Sequence, residues 1–227
     1  MSDFEYPFLS ILILTYKRTE EAIKTISGLS AHLGYDKDKR GFYIADDGTQ
    51  GSHVKDLLDL TERLGEKLIG YHSERFSPKT GIGWNKGLGI CFQQSDFVLV
   101  MEDDWVLREK FDIHPYIEML SQREDVGMVR LGGLAVDNNV KIVGHNGHHY
   151  LKYHKDLQYT YSGNPHIRHA RMMNTYGWFS VDKLNPGELE LEYDGRIRQM
   201  QGPDIWRPAD IPGWGIFDHI GEVRYRE

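Results

Sequence analysis

Residues 97–105 read Phe97-Val98-Leu99-Val100-Met101-Glu102-Asp103-Asp104-Trp105. Five apolar residues in succession, bounded by polar ones, predict a short strand buried inside a sheet. The three acids that follow place like charges at the strand end, where they repel unless a cation is shared. Carboxylates of this kind suit Mg²⁺ or Mn²⁺, hard ions that take oxygen ligands and keep places for phosphates. The alternative is a solvated acidic turn, and the position directly after a buried strand favours the cation.

Upstream, the chain alternates strands with helices. Phe8 to Thr15 is a second apolar run, followed by a helix capped by Thr19 whose apolar positions Ala22, Ile23, Ile26, Leu29 and Leu33 keep the 3.6-residue period. Phe42 to Ala45 predicts another strand, ending in Asp46-Asp47-Gly48. A helix capped near Ser52 follows, then a strand at Lys67 to Tyr71 and a helix from Gly83 to Gln93. Strands joined through helices run parallel with right-handed crossovers, so this half is an α/β layered sheet. Such sheets receive ligands outside the carboxyl ends of their strands. Here those ends carry Thr15-Tyr16-Lys17-Arg18, Asp46-Asp47-Gly48 and Glu102-Asp103-Asp104.

Beyond residue 105 the pattern is less regular. A helix from about Pro115 to Arg123 and short strands at Val126 to Leu131 and Met173 to Ser180 precede a tail rich in Gly, Pro and Trp. The chain reads as one continuous domain of 227 residues. No apolar run approaches the ~20 residues of a membrane helix, no signal segment is visible, and the lone Cys91 fits a reducing compartment. A soluble, cytoplasmic protein is expected.

The order of a strand ending in Thr15-Tyr16-Lys17-Arg18, a strand ending in Asp46-Asp47-Gly48-Thr49, an Asn85-Lys86-Gly87-Leu88 helix and the Glu102-Asp103-Asp104 strand end resembles the nucleotide-binding half of GT-A-fold glycosyltransferases, most of all family 2. The resemblance implies a Rossmann-like mixed sheet flanked by helices, with residues 1–105 as a nucleotide-sugar-binding half and 106–227 as an acceptor-binding and catalytic half of the one domain. It implies that Thr15, Tyr16, Arg18 and Asp47 hold the nucleotide base, with Lys79 the nearest basic residue before the Asn85 helix. Asp103 would meet the ribose and Asp104 the metal, with Glu102 in place of the family's frequent first Asp. The C-terminal His219 is similar to a histidine that adds a metal or pyrophosphate contact. The segment Glu190 to Gly202 is similar to one whose acid deprotonates the acceptor hydroxyl; its usual second acid is Leu191 here, so Glu190 and Glu192 both stand as candidate bases. An exposed helix with Glu192 and Arg196 paired is the structural alternative.

Taken together, these readings predict a metal-dependent glycosyltransferase that uses Mn²⁺ or Mg²⁺ and moves a sugar, with inversion, from a nucleotide diphosphate donor (a UDP-sugar expected) to an acceptor hydroxyl. The rivals are a sugar-phosphate nucleotidyltransferase, which wants a Gly-rich loop that Thr15-Tyr16-Lys17-Arg18 lacks, and a non-catalytic nucleotide-sugar or glycan binding module. For the acceptor, Lys141 to Arg171 stands out, with five basic residues against one acid and interleaved tyrosines. A glycan or another hydroxyl-bearing molecule is expected there. A modified nucleic acid is the other option, against which the net charge of −7 argues. The histidines in and beside that stretch lack the cysteines of a zinc site, and Trp178, Trp206 and Trp214 are either core or sugar platforms.

Overall fold

Strand β1 (Leu9–Thr15) is buried throughout. Leu9, Ile11 and Ile13 join one core cluster and Leu12 and Leu14 another, so both faces of the sheet are covered. The computed structural model describes residues 4–132, 140–153, 160–182, 185–212 and 215–221. Helix α1 (Thr19–His32) leads through the two-residue β2 (Leu33–Gly34) to β3 (Arg40–Asp46). Then come α2 (His53–Arg63), β4 (Leu68–Ser73), α3 (Thr80–Gln94) and β5 (Phe97–Glu102). The strand order β4-β3-β1-β5 is parallel throughout, as the alternation of elements requires.

The second half adds β6 (Trp105–Leu107), β7 (Phe111–Asp112), α4 (His114–Gln122), β8 (Val126–Arg130), β9 (Val140–His145), β10 (His148–Tyr153) and β11 (His166–His169). It closes with α5 (Arg171–Tyr176), α6 (Pro186–Gln199), β12 (Asp204–Pro208) and β13 (Phe217–His219). Strand β11 lies antiparallel between β5 and β8, and the sheet continues β8-β12-β10-β9. The expected mixed sheet is therefore the one observed. Helices α1, α2 and α4 cover one face, and α3, α5 and α6 the other.

Two expectations fail. Met173 to Ser180 is not a strand: Met173 lies in α5, which stops at Gly177 with φ +79°. The strand of this region is β11, concealed because it buries His166 and Arg168 completely. Nor does Thr19 cap α1; it is the first helical residue, and its hydroxyl meets His53 Nδ1 at 2.8 Å. Beneath β3, Arg40 grips Glu66 by two contacts of 3.0 and 2.6 Å in full burial. Those hydrogen bonds outweigh the burial that opposes them and hold the Glu66 carboxyl below its ordinary range. Among the described residues no helix is long and apolar enough to cross a membrane.

Candidate active site

Parallel pairing sets Thr15 beside Asp46 and Leu14 beside Glu102, so the polar strand ends of β1, β3 and β5 open into one cleft of about 540 Å³. Of the residues expected there, Thr15, Tyr16, Arg18, Asp47, Glu102, Asp103, Asp104 and His219 all line it.

Asp103 is a clamp as much as a ligand. One oxygen accepts from the Thr15 hydroxyl at 2.8 Å and from the Tyr16 amide at 3.0 Å, which ties the end of β1 to the turn after β5. Burial pushes its carboxyl up to about 6, against the pull of those bonds and of Arg18. The Thr15 hydroxyl has one proton, spent on Asp103, so toward His53 Nε2 at 3.0 Å it must accept. His53 thus carries its proton on Nε2 and takes the Thr19 hydroxyl on Nδ1; burial keeps the ring below its ordinary value, hence neutral. No spacing signal marked His53, whose place depends on β1 and α2 coming together.

Asp47 Oδ1 accepts from the Phe76 and Ser77 amides at 2.7 and 3.1 Å, and Oδ2 has no hydrogen bond among the described residues. Lys79 is exposed and is not part of the lining. Arg75, also exposed and outside the lining, donates to the Tyr16 hydroxyl at 2.7 Å and lies 5.6 Å from its ring centroid. Asn85 itself joins the two halves through reciprocal bonds with the Phe179 backbone at 2.9 and 3.0 Å.

Strand β13 pairs with β6 so that His219 lies opposite Trp105, bringing Nε2 to 3.2 Å from Asp104 Oδ2. Gly221 must lack a side chain, since a Cβ there would lie 2.1 Å from that same oxygen. Arg18 also donates to Asp104 Oδ2, countering the acids. Asp104 Oδ1 is buried, with no hydrogen-bond partner among the described residues. A buried, unsatisfied carboxylate oxygen is costly, and a divalent cation is a partner of the right chemistry. Asp104 and His219 therefore fit such an ion, although among the described residues no group of three His, Cys, Asp or Glu forms a metal cage. Glu102 lines the cleft nearby, pushed up to about 8 by burial and by Asp104, Glu190 and Asp103.

The two candidate bases separate. Glu192 pairs with Arg196 at 2.8 Å, the i,i+4 pair of an ordinary helix surface. Glu190, on the inner side of α6, accepts from the Gly163 amide at 2.7 Å and lies within electrostatic reach of Glu102. Burial raises its carboxyl, opposed by the Gly163 amide and Arg130.

Three of the five cations in the basic stretch are engaged within the chain, and Lys141 is exposed. Lys152 pairs with Asp204, Arg171 donates to the Arg123 and Val126 carbonyls, and Arg168 is wholly buried. These cations serve the fold; Lys155, like Trp214, lies outside the described residues. Trp206 is core, whereas Trp178 is 46% exposed.

No protein-family model and no curated protein matches the sequence. Solved structures do. A crystal structure of S. aureus TarS residues 1–349 aligns with TM-score 0.66 at 12% identity, covering 89% of this chain and 58% of that one. The mannosyltransferase PcManGT from Pyrobaculum calidifontis, in complex with GDP-Man and Mn²⁺, gives 0.60 at 13% identity, with coverage of 91% and 56%. GalNAc-T7 with UDP, GalNAc and Mn²⁺ gives 0.64 at 12%, with coverage of 91% and 43%. The chain thus spans about half the length of these proteins and has the GT-A fold that they share.

Proposed function

We propose that this chain is a metal-dependent glycosyltransferase that moves a hexose-type sugar from a UDP-sugar to an acceptor hydroxyl with inversion. The observation that carries the reading is the convergence, in a fold of this kind, of Asp104 and His219 on one cleft with Glu190 close to Glu102 on its wall. Asp104 and His219 would hold Mn²⁺ or Mg²⁺, and the ion when bound neutralises the charge of the diphosphate leaving group.

The chain's own residues divide the remaining work. Tyr16 and Arg75 flank the base subsite, and Asp47, anchored through Oδ1 by two amides, offers Oδ2 to a uracil ring N–H. Asp103, by fixing the end of β1, keeps Thr15 and Tyr16 in place around the nucleoside. Glu190 takes the proton of the acceptor hydroxyl as that oxygen attacks the anomeric carbon. The bond to the diphosphate breaks, its electron pair staying on the leaving oxygen, and the configuration inverts. A carboxyl raised by burial is a stronger base for this proton than an exposed one.

The test is a thermal-shift screen of nucleotide sugars with and without Mn²⁺, followed by NMR of the anomeric centre in the product. Stabilisation by a UDP-sugar that requires Mn²⁺ is expected. No stabilisation by any nucleotide sugar would overturn the reading, and a retained anomeric configuration would remove Glu190 as a simple base.

A further inference from the structure

Residues 160–165, just before β11, run as a strap along the inner side of α6. The Tyr161 amide donates to Asp194 Oδ1 at 2.9 Å and the Gly163 amide to Glu190 Oε1 at 2.7 Å. The two acceptors are four residues apart on a helix and the two donors two residues apart on the strap. Four helical residues rise about 6 Å, within the reach of about 7 Å that two residues of chain have, so both bonds can form at once.

Packing holds the strap down. The Tyr161 ring lies 4.9 Å from that of Tyr193 on α6. The buried Arg168 guanidinium stands 5.1 Å from the ring centroids of Tyr161, Phe179 and Tyr193 alike, joining strap, loop and helix at one point. Arg130, also buried, donates to the Thr160 carbonyl at 2.8 Å.

Gly163 is the tightest point. A Cβ built there would lie 2.4 Å from Glu190 Oε1 and 3.7 Å from Glu102 Oε1. The two carboxylates therefore flank this glycine, and any side chain would displace the first of them. We propose that Gly163 is the positioning residue of the base: its amide holds Glu190 Oε1, its missing side chain leaves room for that carboxylate, and Oε2 is the oxygen left to take the acceptor proton. This rests on the reading of Glu190 as the base, but its core can be tested without any substrate.

The carboxyl carbon of Glu190 is titrated by ¹³C NMR in wild type, Gly163→Ala and Gly195→Ala. Position 195 lies on α6 with nothing within 4 Å of a built Cβ, so it controls for a glycine lost nearby. Pushing Glu190 off the residue-163 amide, whose bond favours the anion, should raise the midpoint in Gly163→Ala by about one pH unit, with Gly195→Ala unchanged. Hydrogen exchange at the Gly163 amide is then compared in Glu190→Gln and Glu190→Ala. The glutamine carbonyl can still accept the bond and should keep protection, whereas alanine should speed exchange about tenfold. An unmoved midpoint in folded Gly163→Ala, or equal protection in both Glu190 variants, overturns the proposal. If Gly163→Ala does not fold, the exchange pair decides alone. Full sugar transfer by Glu190→Gln, with the exchange pattern intact, would instead remove Glu190 as the base and leave the strap a structural contact.

Discussion

The two halves of the molecule build the cleft by different means. In residues 9–102 each site residue sits at the carboxyl end of a parallel strand, so local sequence order and parallel pairing suffice to bring Thr15, Asp46 and Glu102 together. In the second half nothing local does this. Glu190 comes close to Glu102, behind the residues that line the cleft, because the strap and the Phe179 loop seat α6 against the first half, and His219 reaches the cleft because β13 pairs with β6 across more than a hundred residues. The first half is a scaffold that carries polar ends; the second is a set of arms delivered by long-range contacts.

The sharpest way to break this comparison is at Asp104, where the halves meet. Asp104→Ala should reduce sugar transfer by about 10³-fold or more and abolish stabilisation by Mn²⁺ plus donor. Without ligand the variant should still fold, because the loss of the Arg18 and His219 contacts is offset in part by removal of a buried unsatisfied oxygen. Activity near wild type would show that the arm carrying His219 has no share in the site.

Next in size is Glu190→Gln, expected to lower kcat about 10²- to 10³-fold with little change in donor KM. Because burial raises Glu190, the wild-type rate should fall as pH drops through a value above the ordinary glutamate range, and this acid limb should vanish in the variant. A limb that survives Glu190→Gln would assign it elsewhere.

Glu66→Ala tests the scaffold alone, at a point far from both arms. Breaking the buried pair with Arg40 should cost about 3 kcal/mol, measured by denaturant unfolding. Since Glu66 is held below its unfolded value, the stability it contributes is complete above about pH 4.3 and is lost as pH falls through the lower folded value. Wild type should therefore lose more stability on acidification than the variant.

Asp47→Asn should raise donor KM about tenfold and spare kcat, because asparagine Oδ1 can still accept the Phe76 and Ser77 amides while the acceptor offered to the base becomes an NH₂ donor. The smallest effect is expected at Glu192→Gln, with kcat within about twofold of wild type. It sits two residues from Glu190, on the other side of the helix, engaged with Arg196, and a large loss there would exchange the roles of the two acids.

Much of the scaffold was legible because its causes are local. An apolar run such as Leu9 to Leu14 can be satisfied only between two covered faces, and strands joined by helices must pair in parallel. The turns after those strands then have to hold polar residues, which is why Thr15, Asp47, Asp103 and Asp104 could be named in advance. That Arg75 turns toward Tyr16 was not legible, because loop geometry decides which of two nearby cations does so. The partners of the cations in the Lys141 to Arg171 stretch were hidden for a related reason. A count of cations does not say that Arg168 is spent among three rings or Arg171 on two carbonyls.

What the amino-acid order alone determined was the layered sheet and the polar edge along its carboxyl ends, since both follow from periodicity and from interactions between neighbours in the chain. Tertiary structure alone decided that Glu190 and not Glu192 turns inward, that His53 sits beneath Thr15, that β11 lies antiparallel beside β5, and that His219 meets Asp104. Each of these depends on a contact between residues far apart in sequence, whose energy is realised only once the chain between them has been closed.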